Sequence, residues 1–417
     1  MSREEQMCHI FHSAGTCKLR LLQAARESQA SAPHDAGCRP GRTAGTLLVL
    51  VLCMFIFRGV IAHISVHNQP CCYACALGYW DNKIERSVRP SLWDPLSEWS
   101  WRTFDDVRCP VHDHLSEVLL SAASRPAWFP VHRPLVLLLI GDSLDRETVR
   151  YLCSVGQTLK LNFTEFDGEG KHIKANGRTS RRHRGVTLCS NGAFSVVYYP
   201  MFGLVRPAMV DLAMQIETRK PASATLNAMD RLSVLLPHDF SAILAATKTD
   251  AAKKPFAVIM SSILWDLSFP TTNTSTVSAS FVRLYAEAVS NLTIRLQTTF
   301  PSSPLFWRTQ PATGYGDADG CQEKAKARPF LQRHVPACTN STHTRRSQNM
   351  LNAAVLFYSR RLWRDGVIRG PAIDFDTLVR GYSHYTKDFV HYQPGPNLAY
   401  FNLALNAMRE AGVFHQG

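Results

Sequence analysis

The stretch "PLVLLLIGDSLDRETVRYLC", residues 134–153, constrains the fold more than any other part of the sequence. Its first seven residues contain no polar side chain, which is typical of a strand covered on both faces. Residues 144–154 then place apolar side chains at helical spacing, so the stretch predicts a strand, a tight turn and a helix. Ser143 lies at the turn, where a serine either caps the helix or presents a nucleophilic hydroxyl group.

Further apolar runs resemble this strand, and long helical patterns lie between and after them. The strand candidates are residues 194–199, 256–262 and 304–308, and the helix candidates are residues 144–154, 279–299, 347–364 and 397–411. Strands that alternate with helices favour a mainly parallel sheet with helices on both faces. The sequence therefore predicts an α/β domain over residues 131–417, with its functional groups where strands end.

Two other segments differ from this pattern. Residues 67–130 are rich in Cys, Trp and Pro and predict irregular structure. Residues 165–184 contain three acidic residues followed by six Lys or Arg, which predicts a solvated surface loop or, alternatively, a contact for an anionic donor or glycan.

The net charge of +13 over 417 residues favours acidic partners such as anionic glycans, phosphates or membrane surfaces. We find no RNA-binding signature and no helix with basic residues along one face, so nucleic-acid binding is not expected.

Residues 44–66 predict a transmembrane signal anchor. Residues 44–57 carry no charge, and the run continues past Arg58 to a total of 23 residues, enough to cross a bilayer. Residues 1–43 predict a disordered tail and contain six Lys or Arg, so the positive-inside rule predicts a cytosolic N-terminus and a type II orientation. A buried helix and a cleaved signal peptide are the alternatives.

Glycosylation motifs and cysteines after residue 66 are consistent with a lumenal domain in the secretory pathway. The N-glycosylation motifs begin at Asn162, Asn273, Asn291 and Asn340. The cysteines are Cys71, Cys72, Cys75, Cys109, Cys153, Cys189, Cys321 and Cys338. Their even number predicts disulfides without fixing the pairing. The stretch "CCYAC" has no partner pair of Cys or His nearby, so no metal site is expected.

The segment "HYTKDFVHYQPGP", residues 384–396, supplies possible partners for Ser143. Asp388 and His391 are three residues apart, so one turn of chain can place both side chains on the same side. Asp388 would orient the imidazole while the other ring nitrogen accepts the Ser143 proton. His384 is a competing base, and a surface Asp–His pair without catalysis is the alternative. The two prolines are expected to separate this turn from the last helix.

These motifs together resemble the PC-esterase branch of the SGNH hydrolase superfamily, and especially the plant trichome-birefringence-like polysaccharide O-acetyltransferases. Gly141-Asp142-Ser143 and Asp388-x-x-His391 match the GDS and DxxH hallmarks of that family. The segments "CALGYWDN", "WSWRTFDDVRC", "FSVVYYPMF", "SSILWDLS" and "FWRTQPATGYGDADGC" match others in the same order, so the resemblance covers roughly residues 70–411.

The resemblance implies a three-layer α/β/α domain and acyl transfer, with acetyl transfer to a glycan hydroxyl in the Golgi as the main expectation. Ser143 would form the acyl-enzyme, His391 would act as the base and Asp388 would hold its tautomer. An esterase with the same residues, or a glycan-binding protein without catalysis, is the alternative. No bound cofactor or metal is implied. A protein with a single span would need an acetyl donor already in the lumen, or a membrane partner that supplies one.

Further residues are candidates for oxyanion or substrate binding on the basis of the resemblance. They are Gly141, Asp142, Ser261, Ser262, Trp265 and Arg308. The family carries an asparagine where this chain has the serine pair, so the oxyanion donors beyond the Ser143 N–H stay open. Arg308 would position donor or acceptor or form a structural ion pair, and Trp265 would stack on sugar or pack in the core. The DxxH segment lacks the family's cysteine after the aspartate, so a different disulfide pattern is expected.

Overall fold

The computed structural model describes only part of the chain, and all of that part belongs to one compact unit, Pro70–Gly417. The described residues are 78–82, 99–103, 110–120, 135–155, 161–166, 186–190, 194–201, 203–205, 232, 236–246, 257–267, 276–314, 326, 344–380, 386 and 388–415. Within them, no helix has the length and hydrophobicity that crossing a bilayer requires. The predicted cytosolic tail and signal anchor lie outside the described residues, as does most of the basic loop 165–184.

A six-stranded sheet with the order β4-β5-β6-β3-β7-β8 forms the centre of the fold. Its strands are β3 (Leu135–Gly141), β4 (Asn162–Phe166), β5 (Val186–Ser190), β6 (Phe194–Pro200), β7 (Ala257–Met260) and β8 (Leu305–Trp307). The neighbours β6, β3, β7 and β8 are parallel, as predicted, whereas β4 and β5 extend the sheet in the antiparallel direction. Because β6 and β7 lie on opposite sides of β3, the strand order reverses at the end of β3, where such sheets place their functional groups.

Helices cover both faces of this sheet. They are α1 (His114–Leu120), α2 (Ser143–Val155), α3 (Leu236–Ala246), α4 (Ile263–Asp266), α5 (Ala279–Thr299), α6 (Arg345–Arg364), α7 (Phe375–Val379) and α8 (Pro394–Glu410). Leu137 and Leu139 of β3 pack in a core with α1, α2, α7 and α8, while Leu138 and Ile140 pack in a second core with α3, α5 and α6. Burial of each leucine contributes roughly 1.5–3 kcal/mol to the stability of the fold. Because both faces of the sheet are covered, β3 has apolar side chains on both of its sides.

The prediction of irregular structure for residues 67–130 is wrong in part. Strands β1 (Gly78–Asn82) and β2 (Trp99–Thr103) pair antiparallel, and α1 follows them. The backbone N–H of Leu115 in α1 donates to the side chain of Asn402 in α8, at 2.9 Å. These elements depend on partners that are distant in sequence, so local patterns alone do not reveal them.

The last helix begins earlier than predicted. Pro394 and Pro396 lie in the first turn of α8 rather than before it. A proline is tolerated there because the first N–H groups of a helix need no partner within the helix. His391 therefore stands three residues before a helix N-terminus.

Cys153 of α2 and Cys189 of β5 form a disulfide, in agreement with the predicted oxidised state. The other six cysteines that follow residue 66 lie outside the described residues. Of the predicted glycosylation sites, Asn162 is exposed on β4 and Asn291 is exposed on α5. Asn273 and Asn340 lie outside the described part of the chain.

Candidate active site

The carboxyl ends of the parallel strands bring three of the candidate segments to one edge of the sheet. The N–H of Ser261, just after β7, donates to the carbonyl of Ile140 at 2.9 Å, and the N–H of Arg308, just after β8, donates to that of Met260 at 2.8 Å. Ser143 follows β3 at the same edge. The strand pairing alone therefore places the residues after β3, β7 and β8 side by side.

Ser143, His391 and Asp388 form one continuous hydrogen-bonded set. The hydroxyl oxygen of Ser143 lies 2.7 Å from Nε2 of His391, and Nδ1 of the same ring lies 2.7 Å from Oδ2 of Asp388. Because a carboxylate can only accept, Nδ1 carries the proton that Asp388 binds, and Nε2 is left to accept the proton of Ser143. This arrangement can activate a serine as a nucleophile.

The carboxylate of Asp388 is held in place by the chain that follows it. Its Oδ1 accepts from the backbone N–H groups of Val390 and His391 at 2.8 and 2.7 Å. Burial raises the pKa of this carboxyl, but the hydrogen bonds and charge of His391 and the two N–H groups outweigh burial and hold the pKa well below its usual value. Asp388 therefore remains an anion that can stabilise an imidazolium.

The segment that carries His391 is fastened to α2 and α8 by buried hydrogen bonds. The Asn397 amide of α8 donates to the carbonyl of Tyr392 at 3.1 Å, and its oxygen accepts from the hydroxyl of Thr148 in α2, also at 3.1 Å. The Tyr392 hydroxyl donates to the carbonyl of Ala312 at 2.6 Å. These bonds fix His391 relative to the helix that starts at Ser143.

Asp142, not Ser143, caps α2. Oδ1 of Asp142 accepts from the N–H of Leu144 at 2.9 Å, and this leaves the Ser143 hydroxyl to His391. The residue is fully buried, and its Oδ2 has no hydrogen-bond partner among the described residues. Burial raises the pKa of Asp142 to about 6, although the nearby charge of Arg308 opposes the rise. Asp142 thus fixes the turn through its bond to the Leu144 N–H, and its protonation state sets the charge of the turn.

Arg308 is fully buried in an ion pair with Asp145 of α2. Its Nε and a terminal nitrogen donate to the two carboxylate oxygens of Asp145 at 3.0 and 2.7 Å. The same terminal nitrogen also donates to Ser261 Oγ. The ring centroids of Phe375 and Tyr400 lie 5.7 and 5.6 Å from the guanidinium carbon. Burial alone would lower the pKa of Arg308, but the Asp145 carboxylate outweighs it and raises the pKa. Arg308 lies in a structural ion pair, which is one of the two roles expected for it. Positioning of donor or acceptor by Arg308 stays a prediction.

The hydroxyl groups of Ser261 and Ser262 both donate to buried carboxylates. Ser261 donates to Oδ2 of Asp145, and Ser262 donates to Oδ2 of Asp266, each at 2.9 Å. In this arrangement both hydroxyl protons are used in bonds to carboxylates. Oxyanion or substrate binding by the two side chains stays a prediction.

Gly141 is a position where only glycine fits. A β-carbon built there would lie 1.9 Å from Oδ2 of Asp145. Gly141 therefore permits the Asp145 carboxylate to approach the strand end, and substrate binding by Gly141 stays a prediction. Trp265 is half-buried on α4, and stacking on a sugar stays a prediction for it.

Three residues that matter here were missed in the sequence. The role of Asp145 is to pair with a buried arginine more than 150 residues away, so the sequence around Asp145 does not reveal it. Asp266 accepts from the N–H groups of Leu204 and Val205, at 2.8–2.9 Å, and so ties the loop after β6 to α4. Gly203 in that loop has φ of 77°, which favours glycine. The sequence signal for Gly203 was its place three residues after the end of β6.

The described residues contain no cluster of three or more His, Cys, Asp or Glu that could hold a metal ion. His384, the competing base, lies outside the described residues, and His391 occupies the position of the base. The hydrogen-bonded set of Ser143, His391 and Asp388 has the groups that serine chemistry requires.

No protein-family model and no curated protein matches the sequence. Among solved structures, the chain is similar to the crystal structure of a protein from Parabacteroides merdae described as a GDSL-like lipase. The identity is 13%, the TM-score is 0.32, and the overlap covers 68% of this chain and 99% of that chain. An overlap of this quality is weak, and no conclusion about the chemistry of this chain follows from it.

Proposed function

We propose that this chain is a serine acyltransferase of the SGNH type that moves an acyl group, expected to be acetyl, from a donor to a glycan hydroxyl. The observation that carries the proposal is the pair of 2.7 Å contacts that link Ser143 to His391 and His391 to Asp388. The GDS and DxxH motifs of the PC-esterase branch supply the same three residues in the same order, which supports the finer assignment.

In the first half-reaction, Ser143 Oγ attacks the acyl carbonyl carbon while its proton moves to Nε2 of His391. Asp388 stabilises the imidazolium, which then gives the proton to the leaving group of the donor. The N–H groups at the start of α2, first that of Ser143, are the expected donors to the oxyanion. The product is an acyl ester on Ser143.

In the second half-reaction, an acceptor hydroxyl gives its proton to Nε2 of His391 and attacks the acyl carbon. Ser143 Oγ leaves and takes the proton back. If water takes the place of the glycan hydroxyl, the same residues make an acetylesterase. This second function is favoured by one observation: the side chains of His391 and Asp388 are 20% and 28% exposed, so water can approach the base. The outcome depends on whether a bound sugar hydroxyl is better placed than water.

The cellular setting that we infer is a Golgi or other secretory-pathway membrane, with residues 44–66 as a single type II span. The N-glycosylation motifs and the Cys153–Cys189 disulfide support an oxidising lumen. The partners would be a glycan or polysaccharide acceptor and, where the lumen lacks a donor, a membrane protein that supplies one. The acetyl donor is a co-substrate rather than a bound cofactor. A hydrogen-bonded Ser–His–Asp set argues against a non-catalytic glycan-binding protein.

The test is to incubate the full chain with an activated acetyl ester and a panel of oligosaccharides. Mass spectrometry of the peptide that contains Ser143 should detect an acetyl group, and Ser143→Ala should not acquire one. Acetylated sugar and free acetate are then measured together. Acetate as the only product with every acceptor, with ready deacetylation of acetylated glycans, would replace the transferase by the esterase. No acylation of Ser143 would overturn both functions.

A further inference from the structure

Helix α6 presents an exposed face of arginines around a single phenylalanine. Phe357, Arg360, Arg361 and Arg364 follow the spacing i, i+3, i+4 and i+7, so their side chains leave the helix on one side. All four are exposed, and Phe357 keeps 61% of its surface in solvent, more than any other large hydrophobic residue in the described ranges. Arg346 lies on the same side in the first turn. We call these five residues the arginine face.

The expectation that no helix carries basic residues along one face is therefore wrong. Arg360 and Arg361 are adjacent in the sequence, and Arg346 lies 14 residues before Arg360. That these arginines share one side becomes visible only when the bounds of the helix are known.

Local helix energetics explain only part of this face. The helix dipole favours cations in the last turn, which accounts for Arg361 and Arg364. It disfavours Arg346 in the first turn, and it gives no reason for an exposed Phe357. The helix itself contains no acidic residue.

The positive charge of the face is also largely unpaired. Across the described residues, the one acidic partner of the face is Asp365, 3.8 Å from Arg361. Both side chains of this pair are more than half exposed, so the pair contributes little.

The arginine face is held rigidly, and its C-terminal end at Arg364 lies far along the helix from the sheet edge that carries Ser143. The opposite side of α6 is buried in the core through residues such as Leu351 and Val355. In the first half of α6, Asn352 exchanges hydrogen bonds of 2.8 and 2.9 Å with the backbone of Gln310, close to the edge of the sheet that carries the active site. Arg364 is 12 residues further on, about 18 Å along the helix. A rigid face loses little entropy when it binds a ligand.

We propose that the arginine face binds an acidic polysaccharide. A guanidinium group pairs in a bidentate manner with a carboxylate or sulfate. The span from Arg346 to Arg364 is about 27 Å along the helix, which fits an extended polyanion better than a small anion. Phe357 offers an apolar surface between the charges for a sugar ring. A lipid bilayer fits less well, because helices that lie on membranes bury a row of large apolar side chains and this face has one.

The experiment measures binding of the full chain to immobilised polygalacturonate and heparin at several NaCl concentrations. The test variant is R360E/R364E. The matched control is R283E/R295E, which reverses two exposed arginines of the neighbouring helix α5 and changes the net charge equally. Thermal unfolding checks that both variants are folded. Ser143→Ala should bind as the wild type does, so this test is separate from that of acyl transfer.

We expect R360E/R364E to bind at least about tenfold more weakly, since the loss of one charge-assisted hydrogen bond already costs that much. The R283E/R295E control should stay close to the wild type, and Phe357→Ser should also weaken binding. Equal weakening by both double variants would overturn the proposal, because only net charge would then matter. Displacement by duplex DNA at lower concentration than by free polysaccharide, or tighter binding to vesicles of phosphatidylglycerol, would also overturn it in favour of a nucleic acid or a membrane.

Discussion

Arg308 and Asp145 form a bidentate ion pair that is buried against Gly141, two residues before Ser143. The pair connects the end of β8 to the first turn of α2, and Ser261 after β7 shares it. The turn that carries Ser143 is therefore held by charged groups that solvent does not reach. Such a pair gains little over apolar packing but is costly to break.

The first prediction follows from that cost. Arg308→Met leaves the Asp145 carboxylate buried without its counter-charge, and we expect the free energy of unfolding to fall by about 3–5 kcal/mol. Urea denaturation measures this. Arg345→Met is the control, because it breaks a bidentate pair with Asp376 in which the arginine is 32% exposed, and its effect should be smaller. Equal losses in the two variants would contradict the explanation.

The second prediction concerns the hydrogen-bonded set. Ser143→Ala and His391→Ala should each lower kcat by about 10⁴–10⁶-fold, and Asp388→Asn by about 10⁴-fold. Because the three residues act as one unit, Ser143→Ala/His391→Ala should be hardly worse than either single change. Initial rates with an activated acetyl ester test this, and circular dichroism checks the fold. A variant of His391 with near-normal turnover would show that another group is the base.

The third prediction is a pH dependence of stability at Asp388. The pKa of this carboxyl is lower in the folded chain than its value of about 3.9 in an unfolded chain. The stabilisation is therefore present above about pH 4 and is lost as the pH falls through the folded pKa. The gap in unfolding free energy between wild type and Asp388→Asn should be larger at pH 6 than at pH 3. A gap that does not change with pH would contradict the shift.

The fourth prediction concerns Asp142, where stability changes with pH in the opposite direction from Asp388. Burial raises the pKa of Asp142 to about 6, above its unfolded value of about 3.9. As the pH rises, the Asp142 carboxyl group therefore loses its proton at a lower pH in the unfolded chain than in the folded chain. Its contribution to the free energy of unfolding falls as the pH rises from about 4 to about 6. Asp142→Asn keeps an acceptor for the Leu144 N–H and removes the titration. Its stability relative to wild type should improve across that range, as measured by urea denaturation. A relative decline would contradict the assignment.

The fifth prediction concerns the Cys153–Cys189 disulfide. It closes a loop with a sequence separation of 36 between α2 and β5. Cross-linking a loop of this size stabilises a fold by about 3–4 kcal/mol. The double variant Cys153→Ala/Cys189→Ala should unfold at a lower temperature than the wild type under oxidising conditions. Unchanged melting would show that this link contributes nothing.

The sequence predicted the parts of the fold that have strong periodic patterns. The strands β3, β6, β7 and β8 and the helices α2, α5, α6 and α8 lie where the apolar patterns place them. The antiparallel strands β4 and β5 were missed. Only one residue of β4 is buried, and its burial does not alternate. The helices α4 and α7 have four and five residues, so their stability comes from packing rather than from a local signal.

The candidate site was predictable where chemistry and spacing agree. Ser143, Asp388 and His391 were named because a serine nucleophile needs a base and a carboxylate, and because they match the GDS and DxxH motifs of the family that the sequence resembles. Arg308 and Ser261 were named for roles in binding, and the structure places both in the buried network around Asp145. Whether a charged side chain points to solvent or into the core depends on partners from other strands, which a sequence does not show.

The hydrogen bond between Ser143 and His391 crosses 248 residues of chain. At a synthesis rate of roughly 5–20 residues per second, the ribosome needs about 12–50 s to make the interval between them. Throughout that time the nascent chain carries Ser143 without its hydrogen-bond partner. The set is complete only when the segment before α8 lies against α2. The hydroxyl of Ser143 therefore gains its possible base only in the folded chain.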